Sequence, residues 1–334
     1  MAETLRIATF HTELSRKGPG LLLRDILKGD PQAKAVAEVV AHVAPDVLIL
    51  QGVDYDHGQE TLRALRDLIG AAGADYPHVF ALQPNSGMAS GHDLDGDGRL
   101  GEPEDAQGYG WFAGEGGMAV LSRHPVAEGE VQDFSALLWA DLPGQMADEG
   151  MNAQVQRLSS VGHWVVPVKL GERRLNLLTF HATPPVFDGP EDRNGRRNHD
   201  EIAFWQRYLD GALGPVAEGA FVLAGNANLD PGDGDGRKEA ITALLDDPRL
   251  QDPAPRRAGG AEQGEGQAGD PALDTVAWTA TVPGHLRVSY VLPSAHLEVL
   301  ASGVFWPGEG EPLAGAARAA SRHRVVWVDL RIEW

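Results

Sequence analysis

The chain of 334 residues contains no cysteine, which excludes disulfide bonds, thiolate zinc sites and a thiol nucleophile. It also lacks an apolar run long enough to span a membrane. The first residues, MAETLRIATF, lead directly into a predicted strand without a signal peptide. We therefore expect either a cytoplasmic protein or the mature form of a secreted or periplasmic one, in which Met has replaced the leader.

Basic residues are few, because 28 Lys and Arg stand against 48 Asp and Glu and give a formal net charge of −20. A surface of this sign repels nucleic acid unless a basic patch or bound cations offset the field, and it favours divalent cations. We therefore do not expect a nucleic-acid partner. Hydrophobic residues make up 43% of the chain, which is enough for a substantial core.

Short apolar runs that end in polar residues predict a series of buried strands. Between the runs LRIATF and DVLIL, Asp30-Pro31 and the valines from Val36 to Val43 predict a capped helix. This alternation indicates a layered α/β fold. We find no internal repeat and no clean domain boundary. We therefore predict a single domain over residues 1–334, with a polar insertion near 83–116 and a flexible loop near 253–271.

The stretch Phe221–Asp230, FVLAGNANLD, predicts a buried strand that stops at a glycine and presents polar side chains at its carboxyl edge. Asn226 and Asn228 are two residues apart, so they point the same way if the strand continues. The alternative is an Asn-rich turn, since Asn tolerates unusual backbone angles.

Seven motifs occur in an order and spacing that resemble the endonuclease/exonuclease/phosphatase superfamily. They are LRIATF, DVLILQ, GGMAVLSRHPV, LNLLTFH, FVLAGNAN, LRVSYVLPS and SRHRVVWVDL. The resemblance implies a four-layered α/β sandwich, in which two packed mixed β-sheets are flanked by helices. It also implies an active site where strand ends converge, and hydrolysis of phosphate esters with divalent cations held by carboxylates.

The chain departs from this family at most of the metal-binding carboxylates. The resemblance implies that His11 stands where the family has an Asn, and that Gly52, next to Gln51, stands where it has a Glu. It also implies that Asn226, Ser289 and Arg322 stand where the family has Asp residues. The chain retains His181, His323 and Asn228. An amide at position 226 cannot act as a base and adds no charge to a hard cation. We therefore expect a degenerate site, with His181, His323, Asn226 and Asn228 as the catalytic candidates.

Three interpretations of this site remain open. In the first, His11, His181 and His323 at the converging strand ends hold a transition metal such as zinc, and in the second these histidines are relics of the family site. The third is an anion pocket for a phosphate-bearing or other anionic small molecule. It would be lined by Arg322, Ser289 and Gln51, with Arg193 and Arg197 as further contacts unless these only neutralise neighbouring acids.

Two other functions are considered as alternatives. The chain could be an active divalent-metal hydrolase that uses magnesium or manganese, with Glu13, Asp54 and Asp56 as replacement carboxylates. It could also be a non-catalytic interaction protein, for which a filled pocket at the strand ends would be the distinguishing observation.

The segment Asp93–Glu104, DLDGDGRLGEPE, matches the calcium loop D-x-D-x-D-G-x5-E at every defined position. The ligands predicted by this match are Asp93, Asp95, Asp97, the carbonyl of Arg99, and Glu104. Pro103 and the lack of convincing flanking helices predict a lone structural calcium loop rather than an EF-hand. The alternative is an acidic turn without metal. Such a site fits a calcium-rich exterior better than cytoplasm.

Overall fold

The computed structural model describes residues 2–148, 150, 152–258, 264, 266–278 and 283–333. The strands of this part of the chain are β1 Ala2–His11, β2 Val47–Val53, β3 His78–Phe80, β4 Gly117–Ser122, β5 Gln132–Asp133, β6 His163–Leu170, β7 Arg173–His181, β8 Ala220–Asn226, β9 Ser289–Pro293, β10 Glu298–Phe305 and β11 Val325–Glu333. The α-helices are α1 Leu21–Leu27, α2 Pro31–Val43, α3 Glu60–Ala71, α4 Arg193–Leu209, α5 Glu239–Leu245 and α6 Ala314–Ala320. Short 3-10 helices lie at Pro103–Asp105, Glu128–Glu130, Trp139–Asp141 and Pro271–Leu273.

These strands form two sheets. The first has the order β10-β11-β1-β2-β4-β3 and the second has the order β5-β6-β7-β8-β9. Apolar side chains of both sheets meet in one buried cluster, which includes Ile7, Val47, Val166, Val222 and Val328. The two sheets therefore pack face to face, and each buries one side of its strands against the other.

The helices cover the outer faces of the two sheets. Side chains of α2, α3 and α6 share a buried cluster with residues of β1 and β2, and those of α4 and α5 share another with β7 and β8. The layers are thus helix, sheet, sheet and helix, which confirms the predicted α/β sandwich. The predicted helix is also confirmed, because α2 starts at Pro31 and the Asp30 carboxylate accepts a hydrogen bond from Ala33 N at 2.8 Å.

Two parallel strand pairs determine where polar side chains collect. In β1 and β2, His11 is paired with Gln51, and in β7 and β8, His181 is paired with Asn226. Parallel strands end at the same edge of a sheet, which is where α/β enzymes place their sites. Antiparallel pairing of β8 with β9 sets Ser289 beside Asn226. The strand order therefore brings distant parts of the sequence to one end of the sandwich.

The predicted flexible loop falls partly outside the described residues, since 259–263 and 265 are not described. On either side of that gap the chain is hydrogen-bonded. Arg257 N donates to Ala272 O at 2.9 Å, and the Asp233 carboxylate accepts from Ala268 N and Gly269 N at 2.7 and 2.8 Å. None of the helices in the described ranges is apolar over enough residues to cross a bilayer.

His163 provides a test of how the fold responds to acid. It is buried on β6, where Nε2 donates to the carbonyl of Glu201 at 2.8 Å and Nδ1 lies 2.6 Å from Ser159 Oγ. Burial lowers its pKa to about 4. The folded protein therefore binds fewer protons than the unfolded chain below pH 6.5, so stability should fall as the pH drops towards 4.

We predict that His163 reduces the free energy of unfolding by about 2 kcal/mol between pH 7 and pH 5. Urea denaturation at both pH values would measure this in the native protein and in His163→Gln, whose amide offers a similar donor and acceptor but does not titrate. The variant should lose about 2 kcal/mol less on acidification. Equal losses in the two proteins would contradict the assignment.

Candidate functional site

A pocket of about 670 Å³ opens at the edge where β1 and β7 end. Its polar lining residues are His11, Glu13, His181, Asn228, Asp230, Asp235, Arg322 and His323. Its apolar lining residues are Pro184, Pro185, Val186, Phe187, Trp278, Pro283 and Leu286. A second and larger cavity, of about 890 Å³, lies near Arg174 and Arg331 at the amino ends of β7 and β8. Those two arginines are ion-paired with Glu130 and Glu298, so the pocket at the carboxyl ends is the better candidate.

The three histidines predicted at converging strand ends do lie together. The ring centroid of His11 is 4.8 Å from that of His181 and 4.3 Å from that of His323. Burial lowers the pKa of His323 to about 3, and burial followed by the neighbouring imidazole lowers the pKa of His11 and of His181 well below its usual value. All three rings are therefore neutral at pH 7.

The Nδ1 atom of each of these histidines is buried and has no hydrogen-bond partner among the described residues. A buried polar atom without a partner is unfavourable unless something else binds it. Neutral imidazole nitrogen is a good ligand for zinc-like ions. The cluster therefore has the donor chemistry of a metal site.

Glu13 is the residue that completes this donor set. Its carboxylate, with nitrogens of His11 and His323, forms a group of potential ligand atoms within 4.8 Å of one another. Glu13 lies two residues after β1 with a positive φ of 52°. From the sequence, Glu13 was predicted only as an alternative carboxylate. The signal that was available is the acid two positions after a histidine at the end of a buried strand.

An ion pair already holds the Glu13 carboxylate. Arg322 donates to it from its backbone N at 2.7 Å and from Nε at 2.8 Å, and Ser321 Oγ donates at 2.9 Å. Burial opposes the charge on Glu13, but these hydrogen bonds outweigh burial and lower its pKa. Arg322 stands at a position that the resemblance assigns to an Asp, and here it faces an acid from another strand end.

His181 belongs to a network with the two asparagines. The Nδ2 atoms of Asn226 and Asn228 lie 3.4 and 3.5 Å from His181 Nε2. Asn226 Nδ2 also donates to Asn228 Oδ1 at 3.1 Å, and Asn228 has a positive φ of 51°. Both interpretations of the FVLAGNAN motif therefore hold, because a buried strand ends at Asn226 and an Asn turn follows it.

Gln51 and Ser289 were predicted to line the pocket, but both are buried outside its lining. Gln51 is fully buried and exchanges hydrogen bonds with Thr9 at 2.9 and 3.2 Å, so its side chain is directed away from the pocket. This contradicts its predicted role as a ligand contact. Ser289 is buried beside Asn226, and its Oγ has no partner among the described residues. Its position is thus adjacent to the asparagine network rather than in the pocket lining.

Arg193 and Arg197 do not contact the pocket, which contradicts the ligand-binding role predicted for them. The buried Arg197 donates to the carbonyls of Leu158 and Arg157, each at 2.8 Å. Arg193 donates to the carbonyl of Leu94. The reason is that both side chains lie on the inner face of α4, where they tie the polar insertion and its neighbouring loop to the helix.

The predicted calcium loop is partly assembled. Carboxylate oxygens of Asp93, Asp95 and Asp97 lie within 4.8 Å of one another. Glu104 is exposed and is not part of this group. Instead the neighbouring Asp105 is buried and accepts hydrogen bonds from Leu94 N at 2.7 Å and from Gly101 N at 2.8 Å.

The side chain of Arg99, whose carbonyl was the predicted calcium ligand, reaches the carboxylates of Asp97 and Glu102 at 3.7 and 3.3 Å. Residues 230–237, DPGDGDGR, form another acidic loop, and Asp230 and Asp235 of this loop line the pocket. Its first carboxylate, that of Asp230, accepts hydrogen bonds from backbone N–H groups, including that of Arg287 at 2.6 Å.

The other two alternative carboxylates organise loops instead of lining the pocket. Asp54 is buried and accepts hydrogen bonds from Ser15 Oγ at 2.7 Å and from Gly116 N at 3.0 Å. Asp56 accepts from Glu60 N and Thr61 N, each at 2.8 Å, at the start of α3. Of the three acids considered in the sequence, only Glu13 is therefore in a position to bind a metal in the pocket.

His11 occupies space that a side chain at position 52 would need. A Cβ built on Gly52 would lie 3.0 Å from His11 Nε2 and 3.0 Å from Glu13 N, and the φ of Gly52 is +72°. The resemblance places the family's Glu at this position. A glycine at 52 and an imidazole at 11 are therefore compatible with each other, whereas a Glu at 52 is not compatible with the present position of His11.

We predict that Gly52→Ala destabilises the protein more than Gly20→Ala does. Gly20 has a φ of +73° and nothing within 4 Å of its built Cβ, so it is a matched control for backbone strain alone. We expect a loss of about 1 kcal/mol for Gly20→Ala and roughly 2–3 kcal/mol for Gly52→Ala. Urea denaturation would measure both. Equal losses would show that the ring of His11 does not crowd position 52.

Comparison with known proteins supports the resemblance found in the sequence. The endonuclease/exonuclease/phosphatase from Beutenbergia cavernae DSM 12333 is 19% identical, with a TM-score of 0.57 over 98% of this chain and 72% of that chain. An endonuclease/exonuclease/phosphatase family protein from Leptotrichia buccalis C-1013-b is 15% identical, with a TM-score of 0.56 over 98% and 100%. Sphingomyelinase C from Streptomyces griseocarneus is 19% identical, with a TM-score of 0.51 over 98% and 99%.

At these identities the structural likeness shows the fold alone. A search of curated proteins found no match for this chain. The family assignment comes from the sequence model of the Endonuclease/Exonuclease/phosphatase family, which matches residues 17–323 and so spans most of the chain. The chain therefore belongs to the Endonuclease/Exonuclease/phosphatase family.

Proposed function

We propose that this protein binds a phosphate-bearing or other anionic small molecule in the pocket at the strand ends, with a transition-metal ion such as zinc held by His11, Glu13 and His323. We further propose that a structural calcium ion occupies the loop of Asp93, Asp95 and Asp97. The observation that carries the first proposal is the group of two imidazoles and one carboxylate within 4.8 Å, together with the unpartnered Nδ1 atoms.

The donor set favours zinc over magnesium. Members of this family generally depend on divalent metal ions. Magnesium prefers oxygen ligands, whereas two histidines and a glutamate suit zinc. The chain supplies an amide at position 226 and a hydroxyl at position 289, so these two positions provide no charged oxygen. A bound zinc ion would supply positive charge that polarises a phosphoryl oxygen.

The remaining polar residues have separate roles in this proposal. His11 and His323 are held neutral by burial, which is the form that binds a metal. Arg322 has 63% of its side chain exposed and provides the cation that pairs with the ligand anion. His181 is oriented by Asn226 and Asn228 at the back of the pocket.

The ion pair of Arg322 with Glu13 links the anion to the metal. The Arg322 side chain is 63% exposed and the Glu13 side chain is 19% exposed, so Arg322 is the partner that can turn away. When the Arg322 guanidinium turns to an incoming anion, Glu13 Oε1 becomes available to a metal at the two histidines, while Ser321 Oγ and the Arg322 backbone N still hold Oε2. Anion and metal should therefore bind with positive cooperativity.

The family's hydrolytic reaction is not part of the leading proposal, because Asn226 cannot act as a base. An active phosphodiesterase that uses magnesium or manganese is the alternative. Hydrolysis of bis-p-nitrophenyl phosphate at a rate that is independent of zinc and of Glu13 would favour this alternative. A non-catalytic interaction protein is disfavoured by the open pocket of about 670 Å³.

We predict that the purified protein binds one equivalent of zinc and that Glu13→Gln weakens this binding at least about tenfold, since even residues behind metal ligands typically contribute that much. Elemental analysis and competition with a zinc-binding dye would measure stoichiometry and affinity. His57→Ala is the matched control, because His57 is an exposed histidine away from the pocket. Absence of zinc binding, or equal affinity in Glu13→Gln, would refute the site.

The calcium proposal is supported by the loop geometry. Asp93 accepts hydrogen bonds from Gly96 N at 2.7 Å and from Gly98 N at 2.9 Å, and both glycines have positive φ angles of 80° and 87°. This folds the loop around the three aspartates. Loops of this type in extracellular modules bind calcium with dissociation constants of about 10⁻⁴–10⁻³ M. Such an affinity fits a secreted or periplasmic location.

We predict that 1 mM calcium raises the melting temperature by about 2 °C and that Asp95→Asn removes this shift. Asp67→Asn is the control, because Asp67 is also an exposed aspartate but lies on α3. Glu104→Gln tests whether the exposed Glu104 is a calcium ligand. If Asp95→Asn keeps the calcium-induced shift of the native protein, or if the native protein shows no shift, the loop is not a calcium site.

A further inference from the structure

We infer that the pocket selects phosphate-bearing ligands whose organic group is aromatic, and that Phe187 and Trp278 determine this specificity. The inference rests on the proposed anion site, and it assigns a role to apolar lining residues of the same pocket.

The size of the pocket requires more than a phosphate. Its volume of about 670 Å³ lies within the range of about 300–1,000 Å³ that is typical of sites for drug-sized ligands. A phosphate bound by the histidines, Glu13 and Arg322 would leave the apolar lining residues uncovered. An organic group attached to the phosphate would cover them and remove apolar surface from water.

Phe187 lines the pocket and does not pack in the core. The residue is 90% exposed and has a φ of 72°, a conformation that is unfavourable for a bulky side chain. Asn194 on α4 holds the residues on both sides of Phe187. Its Nδ2 donates to Val186 O at 2.8 Å, and its backbone N donates to the Asp188 carboxylate. Strain that the surroundings hold in place is typical of functional positions.

Trp278 places a second aromatic side chain in the lining, beside the metal-ligand candidates. Its ring meets that of His323 edge to face, with centroids 6.2 Å apart. It is half-buried and packs against a small apolar cluster of Val276, Leu286 and Val288. The ring is thus anchored on one side, while Trp278 and Phe187 both line the pocket.

Two aromatic residues favour a planar partner over an aliphatic one. Stacking of a ring on an aromatic side chain adds attraction beyond the apolar area that it buries, whereas an alkyl chain gains the area alone. A phosphate held near Arg322 and His323 would direct its substituent towards Trp278. We therefore expect an aryl phosphate to bind more tightly than an alkyl phosphate with the same number of carbons.

Calorimetric titration of the full chain with three phosphonates tests this preference. Methylphosphonate, hexylphosphonate and phenylphosphonate share the anionic group and contain no ester bond to hydrolyse. The last two have equal numbers of carbons. We expect phenylphosphonate to bind about tenfold more tightly than methylphosphonate, the factor that corresponds to one stacking contact. Hexylphosphonate should lie between them.

Substitutions of the two aromatic residues test whether they produce the preference for phenylphosphonate. Phe187→Ala and Trp278→Ala should each weaken phenylphosphonate several-fold and change methylphosphonate by less than about twofold, because neither side chain holds the anion. Since Phe187 is exposed, its removal leaves the core intact. Trp111→Ala is the control, because Trp111 is 70% exposed on the insertion and does not line this pocket.

The outcomes separate the two proposals. If hexylphosphonate binds as tightly as phenylphosphonate, or if both variants keep the native preference, the aromatic specificity is wrong. The anion site still stands in that case, provided that Arg322→Gln weakens methylphosphonate. If no phosphonate binds, or if Arg322→Gln has no effect on any of them, the proposed anion site fails and the specificity fails with it.

Discussion

The apolar layer between the two sheets is the constraint on which the pocket depends. Side chains such as Ile7, Val166 and Val222 are fully buried there and fix the distance between the sheets. Because β1 and β2 run parallel in one sheet and β7 and β8 run parallel in the other, packing the sheets together also brings their carboxyl ends together. The contacts of His11 with His181 across this edge are a consequence of that packing.

The fold could be predicted from the sequence because its signals are local. Apolar runs predict individual strands, and the cap at Asp30 predicts the start of a helix. The order of the strand motifs resembles that of one family. The site was predicted less completely, because it depends on contacts between distant residues. Glu13 and Arg322 are 309 positions apart, and their ion pair follows only from strand pairing. Arg197 was predicted as a ligand contact or as a neutraliser of neighbouring acids, but the helix phase turns it inward to bind carbonyl groups.

The pocket contrasts with the rest of this acidic protein. The formal net charge is −20, and yet the pocket is built around three imidazoles that burial keeps neutral. Of its three carboxylates, Glu13 is paired with Arg322, and Asp230 accepts hydrogen bonds from backbone N–H groups. The proposed anion would therefore bind beside Arg322, and the proposed metal ion would meet two imidazoles and one carboxylate.

The first turn of α4 serves two parts of the molecule at once. Arg193 binds the carbonyl of Leu94 in the acidic insertion, and the next residue, Asn194, binds the backbone beside Phe187 at the mouth of the pocket. The insertion and the pocket wall therefore have neighbouring attachment points on the same turn of α4. A change in the insertion that displaces this turn would also displace Phe187 at the pocket.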